Sequence, residues 1–478
     1  MRGRHYIAGS WRADGALIPT INPSDLDETV GEYPQASLAD AEEALVAARK
    51  ALPGWARSNI QQRADMLRKV GDMLLARSTE VGTLLAREEG KTLAEGVGET
   101  IRAAQVFHYF AGETLRHPGQ WHESLRAGHN VIVSYEPVGV VVAITPWNFP
   151  IAIPAWKVAA ALAYGNVIIL KPSEYTPGCA ILLAEMLAEA GVPAGVFNLL
   201  LGDGRAIGQT LVDGADAVTF TGATPTGRRI LQMAAPTMTK VQLELGGKNP
   251  FIVLDDADLD VAVEAAAQGT WGQTGQRCTG SERIIVTKGI YDAFVDRLVK
   301  TVSGYRVGHA LDAATQIGPV ANAAQLDKNM GFIQRAKADG AELATGGHLV
   351  EARTRGHFLA PTLFLNTDNA MELNREEVFG PVAGVIKVED FDEAIAVARD
   401  CELALSSGIA TTSLKHAERY RRESTAGLVT VNTPTAGVEY HVPFGGRAPS
   451  GFGGREQGTA SAEFYTEIKT AYINHGVD

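Results

Sequence analysis

The sequence predicts an α/β protein, a doubly wound parallel sheet followed by a second α/β unit, and three observations carry that prediction. Residues 138–144 form a Val-rich run without a polar side chain, as in a strand buried on both faces of a parallel sheet. From there the chain alternates short apolar runs with helical patterns of about ten residues, the spacing that crossover connections need. Its 478 residues, 45% of them hydrophobic, provide for two to four domains at roughly 100–200 residues each.

Residues 38–54 and 61–90 carry apolar positions at three- and four-residue spacing and read as helices. Ser37, Asp40, Glu42 and Glu43 supply the hydroxyl and acids of a helix start. A third helix covers 94–112, and 131–135 alternates like an edge strand. After the buried run come helix 154–164, strand 166–170, helix 178–190, strand 196–200, helix 204–212, strand 217–221, helix 226–234 and strand 240–243. A second series opens with strand 251–254, a helix from Leu259, strand 283–287, a helix from Tyr291 and strand 363–365. Strand 384–387, a helix from Asp392, strand 407–410, a helix from Leu414 and strand 427–431 complete it. The tail, 464–473, is apolar for an end segment and is expected to pair rather than fray.

Composition narrows the function. With 43 basic and 55 acidic residues the formal charge is −12, which argues against nucleic acid or an anionic membrane as partner. The three cysteines, Cys179, Cys278 and Cys401, are too few and too scattered for a disulfide framework or a metal site, and suit a reducing compartment. The N-terminus lacks the apolar stretch of a signal peptide, and the longest apolar run is far short of the roughly 20 residues that span a bilayer. The expectation is a soluble, cytoplasmic protein without a metal.

Several strand ends carry chemistry. Cys278, in GQRCTGS beside Arg277, reads either as an accessible thiol favoured as thiolate or as a small buried hydrophobe; Cys179 and Cys401, in helical patterns, read as core. Glu244, in QLELGGKN, ends a strand where open α/β sheets place their sites and either moves a proton or pairs with Lys248 or Lys240. Asn148, in TPWNFP, offers an amide to a developing oxyanion or serves a turn between two prolines. Lys171, Ser173 and Glu174, in KPSE, suit a ribose and a phosphate or form a solvated turn. The turn Phe220-Thr221-Gly222-Ala223-Thr224-Pro225-Thr226-Gly227 would present free N–H groups to a phosphate, and the glycines from Gly202 and Gly204 to Gly208 only approach a dinucleotide fingerprint.

In this order, TPWNFP, KPSE, FTGATPTG, LELGGK, GQRC, EEVFGP and PFGG closely resemble the aldehyde dehydrogenase superfamily, from Tyr6 to Ala471. The resemblance implies a dinucleotide-binding domain (1–117 and 137–247), a catalytic domain (248–433) and bridging segments (118–136 and 434–478) that join copies into a dimer or tetramer. It implies Cys278 as nucleophile, Asn148 and the Cys278 backbone N–H as oxyanion donors, and Glu244 as activator of the hydrolytic water. NAD or NADP would be held by Lys171 and Glu174 at the adenosine ribose. Phe220, Gly222, Ala223 and Gly227 would line the pyrophosphate turn, and Glu377 and Phe379 would flank the nicotinamide. Ile144, Trp147, Ser173, Gly204 and Leu245 complete that set. Ala223 departs from the family's usual Ser, and Pro225 stands where an acid is commoner.

The loop Asn432 to Phe444, with GGREQG and FYTEIKTAYI, most resembles the 2-oxoglutarate (α-ketoglutarate) semialdehyde dehydrogenases, also called 2,5-dioxovalerate dehydrogenases. A carboxylated aldehyde asks for a cation in the substrate tunnel, and Arg102, on the helix resembling the tunnel-lining one, either faces inward or is solvated. Arg277 is a second candidate, with Phe149, Trp156 and Phe444 as walls. Other specificities (succinate semialdehyde, an aromatic aldehyde), CoA acylation, and a non-catalytic structural protein of this fold are the alternatives; Cys278, Glu244 and Asn148 all being present argues against the last.

Overall fold

The computed structural model describes residues 2–13, 15–116 and 119–476. Its larger sheet has eight strands, of which five are parallel. From one side these are Lys240–Glu244, Ala217–Thr221, Val140–Ile144, Val167–Lys171 and Phe197–Leu199. All five are buried over most of their length, because the helices Leu38–Ala56, Ala152–Ala163, Gly178–Glu189 and Gly204–Gly214 pack among them and give one continuous apolar core. The chain leaves Val140–Ile144 in one direction and returns to its other side with Ala217–Thr221, so the strand order reverses between these two.

A seven-stranded sheet follows the same logic, with Asn249–Val253, Ser281–Thr287, Val382–Val388, Thr362–Leu365, Ser406–Ala410 and Leu428–Val431 running parallel. Helices Leu259–Trp271 and Tyr291–Ser303 close one apolar cluster with this sheet, and Phe391–Arg399 belongs to another. A separate three-stranded sheet joins Gln120–Glu123, His129–Pro137 and Thr466–Asn474.

Several expectations change. The 131–135 segment is the centre of that three-stranded sheet rather than an edge. The apolar tail pairs with it from Thr466↔Pro137 to Asn474↔His129, so its first partner is its own chain. The helix expected over 61–90 is two, Ile60–Ala76 and Ser78–Glu88, separated at Arg77, whose N–H closes the first one on Leu75 and Met73. Part of the C-terminal segment joins the larger sheet: Gly451–Phe452 adds an edge strand beside Lys240–Glu244. Cys401 lies half-buried just past the helix Phe391–Arg399, whereas Cys179 is fully buried within its helix. The N-terminal strands and the helix Ala323–Ala338 were not anticipated. Among the described residues, no helix is long and apolar enough to cross a membrane.

Candidate active site

The reversal in strand order opens a crevice at the carboxyl ends of Val140–Ile144 and Ala217–Thr221, where doubly wound sheets bind ligands. A cleft of about 520 Å³ there brings Ile144 and Trp147 together with Lys171, Ser173 and Glu174. Gly204, Phe220, Gly222 and Ala223 line its other side. Lys171 is buried, with Nζ 2.9 Å from the carbonyl of Gly202 and 3.8 Å from Glu174, which reaches into solvent. Ala223 caps the helix Thr224–Ala234 with no side-chain bond, so the first-turn N–H groups of Thr224 and Thr226 remain for an anion. Gly227 is corrected: it lines no wall, but lies beneath Leu245, whose side chain a Cβ would meet at 2.6 Å.

An adjoining cavity brings Asn148, Glu244 and Cys278 together, with Trp147, Leu245, Glu377 and Phe379 around them. Glu282 fixes the far wall: its oxygens accept the N–H groups of Val378 (2.9 Å) and Phe379 (2.7 Å), and Lys248 neutralises it. Glu377 is thereby turned to accept the N–H of Gly247 at 2.9 Å, and a side chain at Gly246 would collide with it. Phe379, held at a φ of +59°, meets Trp147 edge-on at 5.4 Å. Gln325 and Lys328, from the unanticipated helix, also line this cavity.

Glu244 makes neither of the expected salt bridges, since Lys248 pairs with Glu282 and Lys240 with Glu467. It is buried, and accepts the N–H of Gly446 at 3.3 Å. Burial, then repulsion from Glu456, pushes its carboxyl well above the usual range, against the pull of Lys157 and Arg455. Asn148 is also buried, and one N–H of its side chain goes to the carbonyl of Gln276 at 2.9 Å, leaving the other for a ligand.

Cys278 follows three consecutive residues at positive φ, Gln273, Thr274 and Gly275. That turn is secured by a bond from the N–H of Gln273 to Glu95 (2.9 Å) and one from the Thr274 hydroxyl to Gly318 (3.1 Å). The thiol is not favoured as thiolate: burial first, then Glu377 and Glu244, push it up to about 12. The main-chain N–H groups of Thr279 and Cys278 lower it, by less. Arg277 does not reverse this, because its guanidinium is turned to the carbonyls of Gln268 and Gly269.

A third cavity, of about 300 Å³, reaches Cys278 from the other side and collects all five residues expected of a substrate tunnel: Arg102, Phe149, Trp156, Arg277 and Phe444. Phe444 packs on Trp156 with ring centroids 5.2 Å apart. Arg102 lies 5.5 Å over the ring of Tyr440 and has no carboxylate partner among the described residues. The two acids in the lining are occupied: Glu95 completes a helix capping box and accepts from Gln273, and Glu99 is paired with Lys91. Arg277 Nε and Gln457 Nε2 are buried donors without an acceptor among the described residues. Sequence reasoning missed Lys91, Glu99 and Gln457; Lys91 and Glu99 stand in the charge-rich stretch REEGKTLAEGVGE, which carries no local mark of burial.

The chain matches the model of the aldehyde dehydrogenase family over residues 11–471. It belongs to that family. The aldehyde dehydrogenase is 39% identical to the alpha-ketoglutaric semialdehyde dehydrogenase of Bacillus subtilis, over 98% of this chain and 97% of that one. It is 40% identical to the alpha-ketoglutarate semialdehyde dehydrogenase of Haloferax volcanii, over 99% of each. Among solved structures it resembles a betaine aldehyde dehydrogenase of Staphylococcus aureus in complex with NAD+, with a TM-score of 0.95 and 34% identity over 99% and 95% of the chains. A 3,6-anhydro-L-galactose dehydrogenase in complex with NADP matches with a TM-score of 0.96 and 35% identity over 99% and 100%. The enzyme therefore oxidises an aldehyde with NAD or NADP.

Proposed function

We propose that the enzyme oxidises 2-oxoglutarate semialdehyde (2,5-dioxopentanoate) to 2-oxoglutarate. Cys278 Sγ, its proton released to solvent, attacks the aldehyde carbon, and the free N–H of the Asn148 side chain and the backbone N–H of Cys278 hold the oxygen that becomes negative. The bound dinucleotide supplies the hydride acceptor and a positive charge close to the thiol. Loss of hydride leaves a thioester on Cys278. Glu244, whose raised affinity for protons suits a base, takes a proton from the water that cleaves the thioester, which releases the carboxylate and restores the thiol. Lys171 and Glu174 hold the adenosine end, and Glu377 the ribose next to the nicotinamide.

The observation that carries the substrate is the Arg102 guanidinium in the Cys278 cavity, without an acid to neutralise it. Guanidinium pairs well with a carboxylate in such a half-dry site. A 2-oxo group beside that carboxylate requires a further donor, and Arg277 and Gln457 of the lining each carry a buried donor, Nε and Nε2, without an acceptor among the described residues. The donor for the 2-oxo group, unlike the guanidinium, separates the 2-oxo acid from succinate semialdehyde, and relatives named for this substrate match over nearly the full chain. Exposed Ile468 and Tyr472 on the strand Thr466–Asn474 support a homodimer or homotetramer closed over that sheet. A panel of aldehydes assayed with NAD and with NADP tests the substrate: kcat/KM is expected to be highest for 2-oxoglutarate semialdehyde, and a neutral aldehyde in first place overturns the reading.

A further inference from the structure

Lys91 follows the helix Ser78–Glu88 and precedes Leu93–Glu113, yet its side chain is fully buried. Its Nζ donates to Glu99 Oε2 at 2.7 Å and to the main-chain carbonyl of Asn148 at 2.7 Å. It also lies 4.4 Å over the ring of Phe149. The other oxygen of Glu99 accepts the N–H groups of Ile151 (3.0 Å) and Ala152 (3.1 Å). One ion pair thus grips both ends of the turn that carries Asn148: its carbonyl at the start, and the amides that open the helix Ala152–Ala163 at the end.

Stability is a poor reason for such a pair. Two charges taken out of water gain little over well-packed apolar side chains. What the pair supplies is position. A carbonyl fixed by Lys91 and a side-chain N–H spent on Gln276 leave the Asn148 amide one orientation for its remaining N–H. The same helix sends Arg102 to the substrate cavity one turn later, so the two ends of the aldehyde are referred to one rigid element.

We propose that Lys91 and Glu99 are positioning residues that aim the Asn148 amide at the oxygen of the aldehyde under attack. The proposal rests on Asn148 being an oxyanion donor. A donor displaced by about an ångström is expected to cost about a hundredfold in rate, and loss of one donor altogether about a hundred- to a thousandfold.

The test is the rate of the first turnover, read as reduced dinucleotide formed in a stopped-flow burst with propanal, a neutral aldehyde that does not depend on Arg102. Lys91→Met is expected to slow the burst roughly 10- to 100-fold, with KM for the dinucleotide and the rate of Cys278 alkylation by iodoacetamide within about twofold of the parent. Because the effect passes through Asn148, the Lys91→Met/Asn148→Ala double variant should be no slower than Asn148→Ala alone. If Lys91→Met does not fold, Lys91→Met/Glu89→Gln/Glu99→Gln, which also neutralises the buried Glu89 that lies 3.9 Å from Lys91 and keeps an acceptor for Ile151 and Ala152, takes its place in the same comparison. A parental burst rate, a parallel loss of alkylation, or effects that multiply with Asn148→Ala overturn the proposal. A parental burst rate in Asn148→Ala itself overturns the oxyanion role beneath it, a separate result.

Discussion

The dinucleotide cleft and the substrate cavity meet at Cys278, but they are built in opposite ways. The cleft is a product of sheet topology: Ile144, Lys171 and Phe220, with Glu244 in the adjoining cavity, lie at or near the carboxyl ends of adjacent parallel strands. The substrate cavity is assembled from side chains on segments far apart in the chain, with Arg102 from one helix, Phe149 and Trp156 around the start of another, and Phe444 from the C-terminal loop. On the reading proposed above, the strand ends and their turns hold the dinucleotide, whereas a handful of side chains selects the aldehyde. Substitutions on the two sides should therefore fail in different ways.

The largest effect is expected at the junction. Cys278→Ser should lower aldehyde oxidation by about 10⁴-fold or more while dinucleotide binding, read by fluorescence titration, is retained; loss of binding as well would break the division. Next is Glu244→Gln, with steady-state turnover down by about 10²- to 10⁴-fold. Its first turnover should still release about one equivalent of reduced dinucleotide per site, because hydride leaves before water attacks. A missing burst would move Glu244 to an earlier step. Smaller again is the pH response of the dinucleotide-free thiol. With the thiol pushed up to about 12, the reactive thiolate grows as pH rises. Alkylation of Cys278 should accelerate about tenfold per pH unit from 7 to 9, and a plateau near pH 7 would show that Glu377 and Glu244 do not hold the thiol protonated.

The same contrast explains what the sequence made legible. Strand-end motifs such as TPWNFP, KPSE and LELGGK announce the cleft because period, glycine and proline mark where a parallel strand stops. Asn148 and Glu244 were readable for that reason, Cys278 from the glycine-flanked turn that precedes a strand, and the three do share one cavity. Gly227 misled because a turn glycine can serve packing under Leu245 as well as a phosphate. The thiol's protonation was misjudged because sequence places Arg277 beside Cys278 while the folded chain turns that guanidinium to two carbonyls and brings in carboxylates from remote segments. Lys91 and Glu99 were invisible for a related reason, since a charged pair in a helical stretch looks solvated until its burial is known. Local pattern reveals strand ends; it does not reveal which distant side chains converge.

The selection of a carboxylated aldehyde by Arg102 is the central claim, and Arg102→Leu measures it most directly. With 2-oxoglutarate semialdehyde, KM should rise about 10- to 100-fold, the worth of a charge-assisted hydrogen bond, and with propanal it should stay within about twofold of the parent. Equal changes in KM for the two aldehydes would contradict the account.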